Sequence, residues 1–315
     1  MALPTKHIKN QGPVLAMLGS TALEVLRRKV TGKLPSGPGA LPGPELRATV
    51  PPRPRALIND YVRFCGGDPN AYPHTIPAHL WPQWGFPLAS KSIADVPYPL
   101  LAILNGGCRV DIHAPLADDE PLEIAARLLS IDDNGRRAVL EYEIVTGTAA
   151  SPRAVVATCY GVVPLRGKQG DQPKGDQPKP AKPAAKPTER VPLDAEELAR
   201  FKLPANAGLA FAMLTGDFNP VHWVPPYAKA FGFRNTILHG FASMGKVWET
   251  LVRARFAGSA QAIRSVDIKF TKPLVLPAEV GLYLVAEDDR DRLWLGSAPG
   301  GPAYLVGSIV GNRPA

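Results

Sequence analysis

Residues 237–256 read ILHGFASMGKVWETLVRARF. Phe241, Met244, Val247, Trp248 and Leu251 recur at helical spacing, and the stretch stops near Gly258. The pattern predicts one long helix, apolar over much of its surface. Downstream, residues 261–270, 278–287, 291–297 and 303–310 fit strands. Turn-prone Asp288-Asp289 and Pro299-Gly300-Gly301 separate the later ones. A long apolar helix followed by consecutive strands predicts an α+β fold, an antiparallel sheet wrapped around the helix. Upstream, Asp194 to Lys202 reads as a short helix and Ala205 to Leu214 as another, ended by Thr215-Gly216. A Pro-rich loop, Asn219 to Pro226, then leads to a helical turn at Tyr227 to Phe231.

The N-terminal half repeats this plan. Gly67-Asp68-Pro69-Asn70 with His74 parallels Gly216-Asp217-Phe218-Asn219 with His222. Val110-Asp-Ile-His-Ala-Pro-Leu116 parallels Ile268-Lys-Phe-Thr-Lys-Pro-Leu274. The shared order of these matches predicts a duplication. A helix near His79 to Ala94, distorted by Pro82 and Pro87, would precede strands at 101–113, 121–131, 137–147 and 153–163. Between the halves, residues 167–190 contain GDQPK twice and no large apolar side chain, so they read as an extended Pro/Lys-rich linker. The expected organisation is an N-terminal arm (1–44), a first copy (45–166), the linker (167–190) and a second copy (191–315).

The 315 residues carry 45% apolar side chains, too many for a disordered chain, and a net charge of +8. That charge suits an anionic partner. The linker lysines lack interleaved aromatics, so a solvated tether is expected rather than a nucleic-acid site. No run reaches the ~18 apolar residues of a membrane span, so no integral membrane segment is expected. Pro13 to Leu26 is apolar, but no small-residue cleavage site precedes Arg27-Arg28-Lys29; it reads as a short helix on the core rather than a secretory leader. Cys65, Cys108 and Cys159 are widely spaced, without metal-binding spacing, and suggest reduced thiols in a cytoplasmic protein.

The chemistry concentrates in Leu214-Thr-Gly-Asp-Phe-Asn-Pro-Val-His222. A loop between two helices holds an Asp and a His five positions apart. Gly216 permits a tight backbone and Pro220 fixes part of its path. Asp217 and His222 could grip one water between a carboxylate and an imidazole. Leu238-His239-Gly240 opens the long helix. Gly240 lacks a side chain, so a ligand can approach its N–H, and the helix N-terminus adds positive potential suited to an oxyanion. His239 reads as a packing residue.

Thr215-Gly-Asp-Phe-Asn-Pro-Val-His222, Ile237-Leu-His-Gly240 and Lys272-Pro-Leu274 resemble the motifs of the MaoC-like dehydratases, hot-dog-fold (R)-specific enoyl-thioester hydratases. The resemblance covers residues 191–315 well. The first copy matches in outline only, at Trp84-Gly-Phe-Pro-Leu88 and Pro99-Leu-Leu-Ala-Ile-Leu104. The resemblance implies two tandem hot-dog domains, pseudo-dimeric, in which the N-terminal copy shelters the acyl chain. It implies reversible hydration of trans-2-enoyl thioesters to (3R)-hydroxyacyl thioesters in fatty-acid metabolism. Asp217 and His222 would be the catalytic pair, Asn219 a supporting polar residue, and Gly240 N–H the carbonyl anchor. The substrate would ride on coenzyme A or acyl carrier protein, with no metal or redox cofactor, and a homodimer of double hot-dogs is compatible. A hot-dog thioesterase and a non-catalytic acyl-thioester binding protein are the alternatives; the intact motif argues against both. The first copy has an extra residue before His74 and no Leu-His-Gly, so Asp68 and His74 read as turn and packing residues.

Overall fold

A computed structural model describes residues 3–12, 14–17, 19, 20, 23, 27, 35, 37, 39–99, 103–165 and 188–312. The linker expected at 167–190 lies outside these residues except for its last three, and so does part of the Pro13–Leu26 stretch. Arg190 already bridges Pro302.

In the first half, strand β1 (Leu46–Val50) leads into helix α1 (Arg55–Cys65). A two-residue strand β2 (Thr75–Ile76) and helix α2 (Pro82–Ser92) follow. Then come β3 (Leu104–Ile112), the short β4 (Leu116–Ala117), β5 (Leu122–Asp133), β6 (Arg137–Gly147) and β7 (Val155–Pro164). The second half runs β8 (Glu196–Leu203), α3 (Ala207–Thr215), α4 (Pro225–Ala230) and α5 (Gly240–Ala254). It ends with β9 (Ile263–Phe270), β10 (Ala278–Ala286), β11 (Asp291–Gly296) and β12 (Ala303–Gly311). The helix and strands expected from the 237–310 pattern are thus present, each end within a few residues.

All strands but β2 and β4 join one ten-stranded sheet, ordered β1-β5-β6-β7-β3-β9-β12-β11-β10-β8. Every pairing is antiparallel. The first five strands of that order and the last five, read inward from each edge, follow the same chain sequence. The duplication suggested by short motifs is therefore a duplication of topology. The halves meet at β3 and β9, where Arg109 pairs with Asp267 and Val110 with Val266. The interval that aligns Val110 with Ile268 also aligns Arg109 with Asp267. The pseudo-twofold axis thus passes through that pair.

Helix α5 lies against the sheet, with Met244, Val247 and Leu251 fully buried. These join Tyr61, Trp81, Phe211 and Trp248 in one core that spans both halves. Burial of each such large side chain contributes about 1.5–3 kcal/mol.

One expectation fails. Asp194 to Lys202 is not a helix: Glu196–Leu203 is edge strand β8, paired with β10 from Leu203↔Ala278 to Glu196↔Leu284. Glu, Leu, Ala, Arg and Lys favour helix locally, but pairing with β10 overrides that preference. The prolines of α2 are accommodated: Pro82 occupies its first position and Pro87 lies inside the helix.

Candidate active site

Helix α3 is almost wholly buried and ends at Gly216, whose φ of +85° is left-handed. This turn carries Asp217 out of the core. Asn219 then caps a short 3-10 segment, Pro220–His222, its Oδ1 accepting from Val221 N at 3.2 Å. Asn219 is exposed and acts on the path of the loop.

Two bonds fasten this loop to the segment before α5. Ile237 N donates to Val221 O at 3.3 Å, and His222 Nδ1 donates to Ile237 O at 2.8 Å. Because a carbonyl only accepts, the Nδ1 proton is fixed and His222 Nε2 keeps its lone pair. The 236–238 segment is held in turn by Leu238 N→Leu274 O and Leu276 N→Thr236 O, each 2.8 Å. The Lys272-Pro-Leu274 motif thus belongs with the site because its last residue, and Leu276 just after it, anchor the approach to α5.

His239 is buried, and its ring stacks on His222 with centroids 3.5 Å apart. Its Nε2 donates to Asp217 O at 2.9 Å and lies 3.7 Å from Asp217 Oδ2. Burial, and then the neighbouring His222, push the His239 pKa down to about 3. Burial also lowers that of His222, opposed by Asp217. Both rings are neutral near pH 7. His239 is therefore more than the packing residue read from sequence.

A carboxylate oxygen of Asp217 and ring nitrogens of His222 and His239 lie within 4.8 Å of one another. One water spans such a gap with two hydrogen bonds of about 2.8 Å. A metal ion fits less well. The His239 Nε2 is committed to the Asp217 carbonyl and its unpaired Nδ1 is fully buried, which leaves His222 Nε2 and one carboxylate oxygen where protein sites for such ions use three or more ligands.

Gly240 opens α5 and is half-buried. Among the described residues its N–H has no acceptor. A Cβ there would lie 2.8 Å from the Phe270 ring, so the missing side chain makes room for Phe270 as well as baring the N–H. Gly208 has a comparable role on α3: a Cβ on it would collide with the His222 carbonyl oxygen.

The first copy assembles no such loop. Asp68 accepts from Asn70 N at 2.9 Å, as a turn residue. His74 is exposed with φ +53°, so it too belongs to a turn and does not pack. The place matching His239 is taken by His79, which lies beside Tyr61 as His239 lies beside Phe211. It is filled from the second copy: Glu249 Oε1 on α5 accepts from His79 Nε2 and from Tyr72 OH, both at 2.8 Å. All three side chains are buried.

The region containing this loop, residues 182–293, matches the family model for the MaoC like domain. Residues 182–293 thus resemble a MaoC like domain, and the chain has a double hot-dog fold. It is 32% identical over 184 residues to 3-hydroxyacyl-thioester dehydratase Y of Mycobacterium tuberculosis, covering 56% of this chain and 59% of that protein. It is 26% identical over 304 residues to 3-hydroxyacyl-thioester dehydratase X of the same organism, covering 94% of this chain and 100% of that one. The chain thus spans less than two thirds of the first relative and the whole of the second. The crystal structure of HtdX of M. tuberculosis shares the fold at TM-score 0.66 and 20% identity, over 85% of this chain and 100% of that one. A further M. tuberculosis structure, described as a double hotdog fold, aligns at TM-score 0.55 and 12% identity, over 88% and 99%. Among the described residues no helix is long and apolar enough to cross a membrane.

Proposed function

We propose that this protein reversibly hydrates trans-2-enoyl thioesters to (3R)-hydroxyacyl thioesters, with Asp217 and His222 as the catalytic pair. The observation that carries this reading is the clustering of an Asp217 oxygen with His222 and His239 within 4.8 Å, with His239 next in sequence to Gly240, whose N–H has no acceptor among the described residues. One water, held by Asp217 and His222, gives its oxygen to C3 of the conjugated double bond. One member of the pair takes the water's proton, and a proton is delivered to C2. Electron density moves onto the thioester oxygen, where Gly240 N–H at the start of α5 stabilises it. General acid–base help of this kind is worth typically ~10²–10⁴-fold. Addition of water needs no redox cofactor.

Residues 191–315 form the catalytic copy in this reading. Residues 45–166 shelter the acyl chain, and Glu249 in the place of a first-copy site supports their being catalytically silent. The net charge of +8 suits an anionic carrier, coenzyme A or acyl carrier protein. Three buried free thiols accord with a reducing cytoplasm.

The test is loss of enoyl-thioester absorbance from crotonyl-CoA and from a long-chain trans-2-enoyl-CoA. Product is then coupled to dehydrogenases specific for (S)- or (R)-3-hydroxyacyl-CoA. The R-specific enzyme should consume it. No absorbance loss with either chain length would sink the hydratase reading, and product taken only by the S-specific enzyme would sink the stereochemical one.

A further inference from the structure

The N-terminal arm lies outside both repeated units, yet it reaches the catalytic loop. Its 3-10 segment, Thr5–Gln11, brings Gln11 into full burial. Gln11 Nε2 donates to Met213 O at 3.2 Å and Leu214 O at 3.0 Å. These carbonyls belong to the last turn of α3, where no helical N–H is available to them. Gln11 Oε1 accepts from Gln83 Nε2 at 3.1 Å, and Gln83 Oε1 accepts from Arg53 Nη1 at 3.0 Å. That chain of donors fixes which end of the Gln11 amide faces α3. Val14, also buried, sits against Gly216, where a Cβ would come within 2.7 Å of the Val14 Cβ. At its root the arm is tied to α1 by Lys6 and His7, 2.8 and 2.9 Å from Asp60.

Asp217 follows this gripped segment directly. Among the described residues its carboxylate has only long contacts, 3.3 Å to Asn219 N and 3.7 Å to His239 Nε2. Its direction is therefore set by the backbone leaving α3, and that backbone is held by Gln11 and Val14.

We propose that Gln11 is a positioning residue for the reaction: the N-terminal arm, through its amide, sets where Asp217 stands relative to His222. This rests on the hydratase reading above. The test compares the full-length protein with Gln11→Met, which keeps the length of the side chain and removes the amide NH2 and C=O. Two quantities are read: steady-state hydration of crotonyl-CoA and a long-chain trans-2-enoyl-CoA, and amide hydrogen exchange over residues 213–223. The expected result is a kcat lower by about 10- to 100-fold with KM little changed, and faster exchange confined to 213–223. A purely structural role would lower the melting temperature and leave kcat of the folded protein intact; that result overturns the proposal. If the unsubstituted protein hydrates neither substrate, the hydratase reading fails, and exchange alone decides: unchanged protection over 213–223 in Gln11→Met overturns the positioning role. If Gln11→Met does not fold, Gln83→Met removes the group that orients Gln11 while leaving Gln11 in place, and the same two readouts apply.

Discussion

The His239 ring lies flat on the His222 ring, with an interplanar angle of 24°, while its Nε2 holds the carbonyl of Asp217. One buried side chain thus touches both members of the proposed pair. His239→Phe keeps an aromatic ring for the stack and removes the bond to Asp217. We expect kcat on enoyl-CoA to fall by about 10- to 100-fold while the protein stays folded, because small misplacements of reacting groups are costly. Unchanged kcat in a folded variant would reduce His239 to packing.

Asp217→Asn and His222→Gln each delete an acid–base function with little change in size. Each should lower kcat by about 10²–10⁴-fold with a thermal midpoint near that of the parent protein. Near-parental turnover in either one contradicts the pair.

The proposed pair needs the lone pair of neutral His222. Burial holds its pKa below the usual 6.5, so kcat/KM should stay flat from neutral pH downward until an acid limb centred below 6.5. An acid limb centred above that value would mean a different group or a charged imidazole. His239 adds a stability effect. Its folded pKa is about 3 against an ordinary value of 6.5, so between these the unfolded chain binds the extra proton. Its contribution is complete above 6.5 and is lost as pH falls toward 3, by up to about 1.4 kcal/mol per pH unit. Urea midpoints measured at successively lower pH should fall less steeply in His239→Gln.

Two glycine substitutions separate backbone collisions from side-chain ones. Gly208→Ala places its methyl on the His222 carbonyl oxygen, and neither helix nor loop can yield without moving the pair. It should cost about 1–3 kcal/mol and lower kcat as well. Gly67→Ala meets the end of the Glu249 side chain instead. It should lower the urea midpoint and leave kcat within a few fold. Equal kcat losses would show that the buried His79–Glu249 cluster communicates with the site.

Asp68→Asn and His74→Gln alter turn residues in the first copy. Turnover should be unchanged in both, measured on the same substrates. A loss like that of Asp217→Asn would reveal a second active loop.

The helix α5 and its following strands were legible because their periods are clean and Gly, Pro and Asp mark the ends. The proposed pair, Asp217 and His222, stands out in the sequence because Gly216 precedes Asp217 and Pro220 lies between the two in one short string. Strand β8 was not: Glu196, Leu198, Ala199 and Arg200 are helix formers, and only the edge of β10 makes them a strand. Helix α1 carries a buried stripe at Leu57, Ile58, Tyr61, Val62 and Cys65 that the sequence reading lacks, although its helical spacing is plain in retrospect. The part played by His239 depends on a through-space stack with a residue seventeen positions earlier, for which no local pattern exists. Gln11 is further from any such pattern, since its partners Met213 and Leu214 lie in the other half of the chain.

The filling of the His79 site by Glu249 is a privilege of fusion. In a pair of identical subunits, any mutation that plugs one cavity plugs its mate, and catalysis ends. Joining the copies along β3 and β9 in one polypeptide gives each cavity its own genetic locus. A carboxylate can then occupy one side of the axis while the opposite side keeps the loop of Asp217 and His222. Symmetry, which a dimer must obey, need hold here only for the backbone.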